Sequence, residues 1–445
     1  MNVKQFYDKG LAHGSYAIES SGEIALIDPG RDPQPYIDFA KDLNARIVAV
    51  LETHPHADFA SSHLEFYEKY GATIYVNPQV GVAYPHKAVE DGDEISIGQV
   101  VFKTLFTPGH SPDHNSYLLL DENGTAHSVF TGDSLFVGDV GRPDLREGAG
   151  NLQMQREGLA KMMFETVNNV FKELPDHITV YPAHGAGSLC GKNMSTDTYS
   201  TIGREKSENW AFQVAREADF VKALLEDQPF IPKYFPYDVD INRNGVPGLQ
   251  ESIRKVPYLD NNRQLDPPAL IIDTRPQQQF KAGHVPGAIN LQDGGKFETW
   301  LGSIVGPTES FYLIAQDLQE LKQVIGKTAK IGYETLIKGA LVSNDGGQST
   351  DAISFDQFKV NPENYTIVDI RNHSEFKEGA FFDSALNIPL PELRERVSEI
   401  PADKPVVVHC AGGYRSAAGA SIVSKGFDNG TLVYDLGEHI KEFQP

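Results

Sequence analysis

Glu52-Thr53-His54-Pro55-His56-Ala57-Asp58-Phe59 follows directly on the apolar run Ile47-Val48-Ala49-Val50-Leu51. The run reads as a buried strand, so its C-terminal end presents two imidazoles and a carboxylate on one loop, where α/β sheets usually carry their sites. Three further signals of the same kind follow: Thr107-Pro108-Gly109-His110-Ser111, Phe130-Thr131-Gly132-Asp133-Ser134 after another apolar strand, and Tyr181-Pro182-Ala183-His184-Gly185. A lone histidine is most often a surface or satisfied core residue. Imidazole and carboxylate clusters returning at strand ends point instead to a metal.

Around this constellation, the 445 residues exceed what one hydrophobic core supports, and roughly three domains are expected. Residues 1 to about 248 alternate short β-branched runs with helical patterns such as Asn209 to Leu225, which reads as α/β layers. Segments rich in Pro, Asn and Asp, from Pro229 to Pro247 and from Asp260 to Pro268, read as connections. The last third repeats itself. Leu270-Ile-Ile-Asp-Thr-Arg275 with Phe280-Lys281 and Gly283 recurs as Thr366-Ile-Val-Asp-Ile-Arg371 with Phe376-Lys377 and Gly379, an offset of 96 residues that becomes 97 at Asn290 and Asn387. The expected organisation is therefore one domain over 1–248 and two tandem copies of an α/β module over 255–350 and 352–445.

Asp and Glu outnumber Lys and Arg by 61 to 39, and the resulting charge of -22 repels phosphate backbones, so nucleic acid is not an expected partner. The start, MNVKQFYDKG, has no basic segment followed by an apolar stretch, and no run approaches a membrane helix; a cytoplasmic protein is expected, with no membrane partner. Cys190 and Cys410 stand 220 positions apart, each in a Gly-rich loop, which argues against a disulfide and leaves both thiols for chemistry.

The four loops resemble the metallo-β-lactamase superfamily, whose pattern is an HxHxDH loop, a PGH loop, a GD loop and a final His; the resemblance spans most of residues 1 to 200 and implies an αββα sandwich. Phe59 stands where that pattern has its sixth residue, a His, which removes a ligand from the second metal site of dinuclear members. Among the superfamily, the resemblance to persulfide dioxygenases implies His54, His110 and Asp133 as ligands of one Fe(II) per chain, with His56, Asp58 and His184 orienting them or guiding substrate. Two imidazoles and one carboxylate with open positions are the ligand set of Fe(II) oxygenases. Gly141-Arg142-Pro143-Asp144, eight residues beyond Asp133, looks like the GRxD loop of the same enzymes and nominates Arg142 and Asp144 for substrate binding. Cys190, six residues after His184, is expected near the metal as an acceptor or relay of sulfane sulfur; His13 and His114 are expected to be structural.

In the last copy the buried run Pro405-Val-Val-Val-His409 empties into Cys410-Ala-Gly-Gly-Tyr-Arg-Ser416 and then a helical stretch, Ala417 to Lys425. Backbone N–H groups at such a junction converge on an anion and favour a thiolate. Gly412 and Gly413 let the loop curl round the sulfur, while Arg415 offers a cation to an oxyanion. The loop resembles the CxxGxR active loop of the rhodanese family, which implies Cys410 as sulfur carrier, with Gly412, Gly413, Tyr414, Arg415 and Ser416 around the substrate. The family's His-Ile-Pro-Gly turn is replaced by Ala380-Phe381-Phe382-Asp383. The preceding copy keeps the turn as Gly283-His284-Val285-Pro286-Gly287, but has Leu313 or Ile314 where Cys410 should be, and reads as a non-catalytic spacer or docking module.

Together these resemblances imply oxidation of a low-molecular-weight thiol persulfide by dioxygen to sulfite, then transfer of a second sulfane sulfur onto sulfite to give thiosulfate. They also imply a homo-oligomer, dimer or tetramer. The rival readings are a glyoxalase-II-like zinc thioester hydrolase fused to rhodanese, and a non-enzymatic persulfide carrier or sensing platform.

Overall fold

The structure is a computed structural model that describes residues 1–147, 155–260, 265–266, 268–343, 347–427 and 430–444. Positions 261–264 and 267 of the second connection lie outside the described residues. The chain divides into two compact units: Met1–Ser252 with Ala329–Gly332, and Ile253–Thr328 with Tyr333–Pro445.

The first unit stacks two six-stranded sheets. In one, the strands Asn2–Asp8, His13–Ser20, Glu23–Ile27, Arg46–Leu51, Thr73–Val76 and Lys87–Ala88 lie side by side in chain order; in the other, Glu94–Ile97, Val100–Phe106, Asn115–Leu120, Ala126–Gly132, Thr179–Pro182 and Ser200–Thr201 do the same. Alternation along the strands assigns the faces. Tyr16, Ile18, Ala25, Ile27, Ala49 and Leu51 point into a shared core with Ile95, Ile97, Phe102, Tyr117, Leu119 and Phe130 of the opposite sheet. Their neighbours Ala17, Ile24, Leu26 and Val50 face the other way, onto Tyr36, Ala40 and Phe66. The outer face of the second sheet packs Val129 and Val180 on Met163, Val167, Phe220 and Leu224. Three apolar layers between four strata of structure are an αββα sandwich, in agreement with the expected fold.

One helical reading needs correction: Asn209 to Leu225 is two helices, Trp210–Gln213 and Glu217–Leu225, because Val214 turns extended between them. The break lets Ala211, Phe212, Phe220 and Leu224 all enter the same core.

Parallel pairing decides where the site lies. Glu23–Ile27, Arg46–Leu51 and Thr73–Val76 run parallel, as do Ala126–Gly132 and Thr179–Pro182, whose ends pair at Gly132 and Pro182. Asp133 and His184 therefore leave adjacent strands at the same end. The N–H of Asn115 donates to the carbonyl of Thr53 at 2.9 Å, tying the His110 loop of one sheet to the His54 loop of the other.

The second unit holds two four-stranded parallel sheets of the same order. Ile289–Asn290, Leu270–Asp273, Phe311–Ala315 and Ile337–Val342 match Leu386–Asn387, Thr366–Asp369, Val406–His409 and Val433–Asp435. The repeat extends to side chains. Arg275 grips Asp273 and donates to the carbonyl of Gly283 at 2.9 Å, while Arg371 grips Asp369 and donates to Gly379 at 3.0 Å. Strand register also corrects the position that replaces the thiol. Asp273 pairs with Ile314 as Asp369 pairs with His409, so Ala315, rather than Leu313 or Ile314, stands where Cys410 does.

Candidate functional site

His54, His110 and Asp133, from three loops at one rim of the sandwich, bring one ligand atom each within 4.8 Å of one another, all buried. Asp133 Oδ2 lies 3.8 Å from His54 Nε2 and 3.5 Å from His110 Nε2. Both separations are shorter than two bonds of about 2.0–2.2 Å placed end to end, so one ion can reach all three atoms. His54 Nε2 and Asp133 Oδ2 are buried without a hydrogen-bond partner, a costly state for two polar atoms that an ion would relieve. The donor set therefore fits a metal.

The opposite edge of each ligand is held. His110 Nδ1 donates to the carbonyl of Arg142 at 2.8 Å, and His184 Nδ1 donates to Asp133 Oδ1 at 2.7 Å. Thr53 Oγ1 donates to Asp28 Oδ2 at 2.9 Å, which leaves its lone pair for His54 Nδ1 at 3.0 Å. Each imidazole thereby keeps Nε2 bare toward the centre. Burial, with the neighbouring His56, holds His54 well below the usual histidine range, and burial also lowers His110; both are neutral, as ligands must be. Burial resists ionisation of Asp133 as well, but His184 and the two imidazoles outweigh it and hold the carboxyl well below its ordinary range.

The remaining loop residues gather around this centre. His184 Nε2 lies 2.8 Å from Asp58 Oδ2, so its ring bridges two carboxylates; burial opposes its charge, yet Asp133 and Asp58 raise its pKa well above the usual value. His56 faces Asp28 at 3.3 Å. His56, Asp133 and His184 form a second group of potential ligands, and Asp58, His184 and Cys190 a third. Phe59 stacks at 4.5 Å on His56 and 3.9 Å on His13, so an apolar ring fills the place beside the second group. Burial, reinforced by Asp58 and Asp133, pushes the Cys190 thiol well above its ordinary range.

Arg142, expected to bind substrate, makes its bonds within the chain. Its guanidinium is buried and takes Asp144 at 2.7 Å through both carboxylate oxygens, then donates to the carbonyls of Leu189 at 3.2 Å and Phe230 at 3.4 Å. Its own N–H donates to the carbonyl of Cys190 at 2.9 Å. It clamps the Cys190 loop to the residue whose carbonyl orients His110. Gly141 explains the motif's first residue: a Cβ there would stand 2.0 Å from the carbonyl oxygen of Asp133 and 2.9 Å from His110.

Asp28 and His13 were not read from sequence as site residues. Asp28 accepts from the Thr53 N–H at 2.8 Å as well as from its hydroxyl, fixing the start of the loop. Its only signal was a carboxylate closing the apolar strand Glu23–Ile27. His13 had none, since it reaches the site by pairing with His184 across 171 positions. His114 lies beneath, accepting from the Asp133 N–H at 3.1 Å.

In the second unit, Cys410 is buried at the end of Val406–His409, and the helix Tyr414–Gly426 begins four residues beyond it. Gly413, at a φ of +95°, aims its N–H at Cys410 Sγ at 3.1 Å. Arg415 is locked to Glu375 by two bonds of 2.7 Å, and Ser416 Oγ donates to the Gly413 carbonyl at 3.2 Å. In the departing turn, Phe381 covers the Arg371 guanidinium at 3.8 Å, which replaces one support with another.

An αββα sandwich with a cluster of three potential metal ligands, followed by tandem parallel-sheet modules with one loop-borne cysteine, fits a metal-binding enzyme joined to sulfurtransferase-like domains. The comparisons agree. The metallo-beta-lactamase superfamily model matches residues 9–184 and the rhodanese-like domain model matches 257–332 and 354–441. A crystal structure of a metallo-beta-lactamase from Staphylococcus aureus subsp. aureus COL is 35% identical, covers 77% of this chain and 99% of its own, and superposes with a TM-score of 0.69. The bovine persulfide dioxygenase ETHE1, mitochondrial, is 28% identical over 56% of this chain and 89% of its own. The Arabidopsis thaliana cytoplasmic hydroxyacylglutathione hydrolase is 32% identical over 56% of this chain and 92% of its own. The chain belongs to the metallo-β-lactamase superfamily and carries two rhodanese-like domains. Among the described residues, no helix is long and apolar enough to cross a membrane.

Proposed function

We propose that this protein is an Fe(II)-dependent persulfide dioxygenase fused to a working sulfurtransferase. The carrying observation is the convergence of His54 Nε2, His110 Nε2 and Asp133 Oδ2, with Phe59 packed where a second ion would need a ligand. A ferrous ion held there would supply open positions at which a persulfide and dioxygen meet. The chain's own residues set the conditions. His110, fixed by the Arg142 carbonyl, and His54, fixed by Thr53, stay neutral, while the Asp58–His184 pair holds Asp133 ionised.

In the overall reaction, persulfide, dioxygen and water give thiol and sulfurous acid, the outer sulfur losing four electrons to dioxygen. Cys410 then takes sulfane sulfur from a second persulfide, releasing its thiol, and passes that sulfur to sulfite as thiosulfate. Gly413 N–H reaches Cys410 Sγ at 3.1 Å and the Tyr414–Gly426 helix starts beside it, so backbone donors line the sulfur that would carry the transferred atom. Cys190 lies close enough to Asp58 and His184 to take part in moving sulfur.

The hydrolase reading keeps two supporting observations, the second ligand group His56, Asp133 and His184 and the 32% identical Arabidopsis thaliana hydroxyacylglutathione hydrolase. Metal analysis with oxygen uptake separates the two. About one iron per chain, with uptake abolished in His110→Ala, supports the dioxygenase; two zinc ions per chain and thioester hydrolysis without oxygen uptake would replace it.

A further inference from the structure

Beyond the Cys410 loop, Ala417, Ala420 and Ser421 of the helix Tyr414–Gly426 face the copy that has no cysteine across a cavity of about 250 Å³. Both copies build its wall. The N–H of Asn290 donates to Ser421 Oγ at 3.0 Å, and a Cβ on Gly287 would stand 3.9 Å from Lys425 Cε. Phe280, Ala288, Phe427 and Val433 give the cavity apolar sides, so a molecule with a carbon body fits it.

Its polar groups are not all satisfied from within. Asn290 is 1% exposed, and its Nδ2 donates to the carbonyls of Asp273 and Arg275 at 3.1 and 2.9 Å, while Oδ1 has no hydrogen-bond partner. The repeat shows what that oxygen lacks. In the other copy Asn387 Nδ2 makes the same two donations, to Asp369 and Arg371 at 3.0 and 2.9 Å, and its Oδ1 takes His373 Nδ1 at 2.7 Å. Gln277 stands at the position of His373 and instead accepts the Lys281 ammonium at 3.1 Å. A buried acceptor without a donor is costly, and a ligand N–H would supply the missing bond. His284 lines the same cavity; its Nδ1 donates to the Phe280 carbonyl at 2.8 Å and burial keeps the ring neutral, so Nε2 is a second acceptor. The charge comes from Lys425. Lys281 is paired with Asp435 at 2.7 Å, whose other oxygen accepts the Gly437 N–H at 2.9 Å. Lys425 lies exposed at the cavity's edge with no ion pair among the described residues, and the charges it feels, Arg394 and Glu309, hold each other through two bonds of 2.8 Å.

We propose that this cavity binds a small amine-bearing carboxylate, an amino acid with an apolar side chain, whose ammonium donates to Asn290 Oδ1 and His284 Nε2 and whose carboxylate meets Lys425. The site shares the helix of the Cys410 loop but not its thiol, so it stands or falls apart from the sulfurtransferase reading.

The test is equilibrium dialysis of the full chain with radiolabelled L-methionine. Its competitors are L-methioninamide, which lacks the carboxylate, and 4-(methylthio)butanoate, which lacks the amine. About one methionine per chain is expected to bind, with each competitor about tenfold weaker or worse. Lys425→Gln should weaken methionine about tenfold and leave methioninamide within about twofold, and Lys425→Arg should restore most of the loss. Ser424→Trp, an exposed substitution at the cavity's edge, should block binding, while the melting temperature of the second unit stays native in all three variants and Cys410→Ser binds as the native chain does. A cavity that takes up only water, with no methionine bound at about 10 mM, overturns the proposal. So does binding that ignores both Lys425→Gln and Ser424→Trp, or that is lost in Cys410→Ser, because the methionine then sits elsewhere.

Discussion

Arg142→Met separates a clamp from a substrate ligand. The substitution keeps most of the side-chain volume but removes both bonds to Asp144, whose carboxylate is only 11% exposed, and both donations to the Leu189 and Phe230 carbonyls. Leaving a buried partner uncompensated costs about 3–5 kcal/mol, and the slight exposure of Asp144 favours the low end, about 3 kcal/mol. In a unit of this size each kcal/mol moves the melting temperature by about 2–4 °C, so the first unit's calorimetric transition should fall by roughly 6–12 °C. Because the Arg142 carbonyl orients His110, metal affinity should drop about 10–100-fold as well. Removing the stranded charge in Arg142→Met/Asp144→Leu should recover part of the melting temperature. A single variant that melts within about 2 °C of the native chain, binds metal as tightly and shows only a raised KM for substrate would refute the clamp.

Cys410→Ser should replace thiosulfate by sulfite in the product mixture while oxygen uptake continues; thiosulfate persisting at the native rate, by ion chromatography, would remove Cys410 from the path. Cys190→Ser should slow turnover and reduce sulfur labelling of the first unit, and unchanged values would leave Cys190 a packing residue. His409, mainly through burial, has its pKa pushed down to about 4, so the unfolded chain binds its proton first as pH falls from 6.5. Its contribution is complete above pH 6.5 and is lost as pH drops through about 4, a difference on the order of 3 kcal/mol. Denaturant melts of the second unit's transition should therefore flatten over that range in His409→Gln, and an unaltered slope would count against the burial argument.

The sequence by itself determined the layered α/β class, the tandem repeat and the candidate residues for the chemistry. These depend on local pattern: apolar runs that end in His, Asp or Cys, and a Gly-rich turn between strand and helix. His54, His110 and Asp133 were legible as candidates because each lies in a loop that follows a strand, and Cys410 because its loop is contiguous. What only the tertiary structure decided involves partners distant along the chain. His13 enters the site by pairing with His184, Asp28 by accepting from Thr53, and the carbonyls of Leu189 and Phe230 converge on the Arg142 guanidinium. The replacement for the missing thiol shifted to Ala315 because register is set by inter-strand hydrogen bonds, which an inserted residue elsewhere does not reveal. A side chain's type is written in the chain, but the charge, carbonyl or ring it faces is chosen by packing.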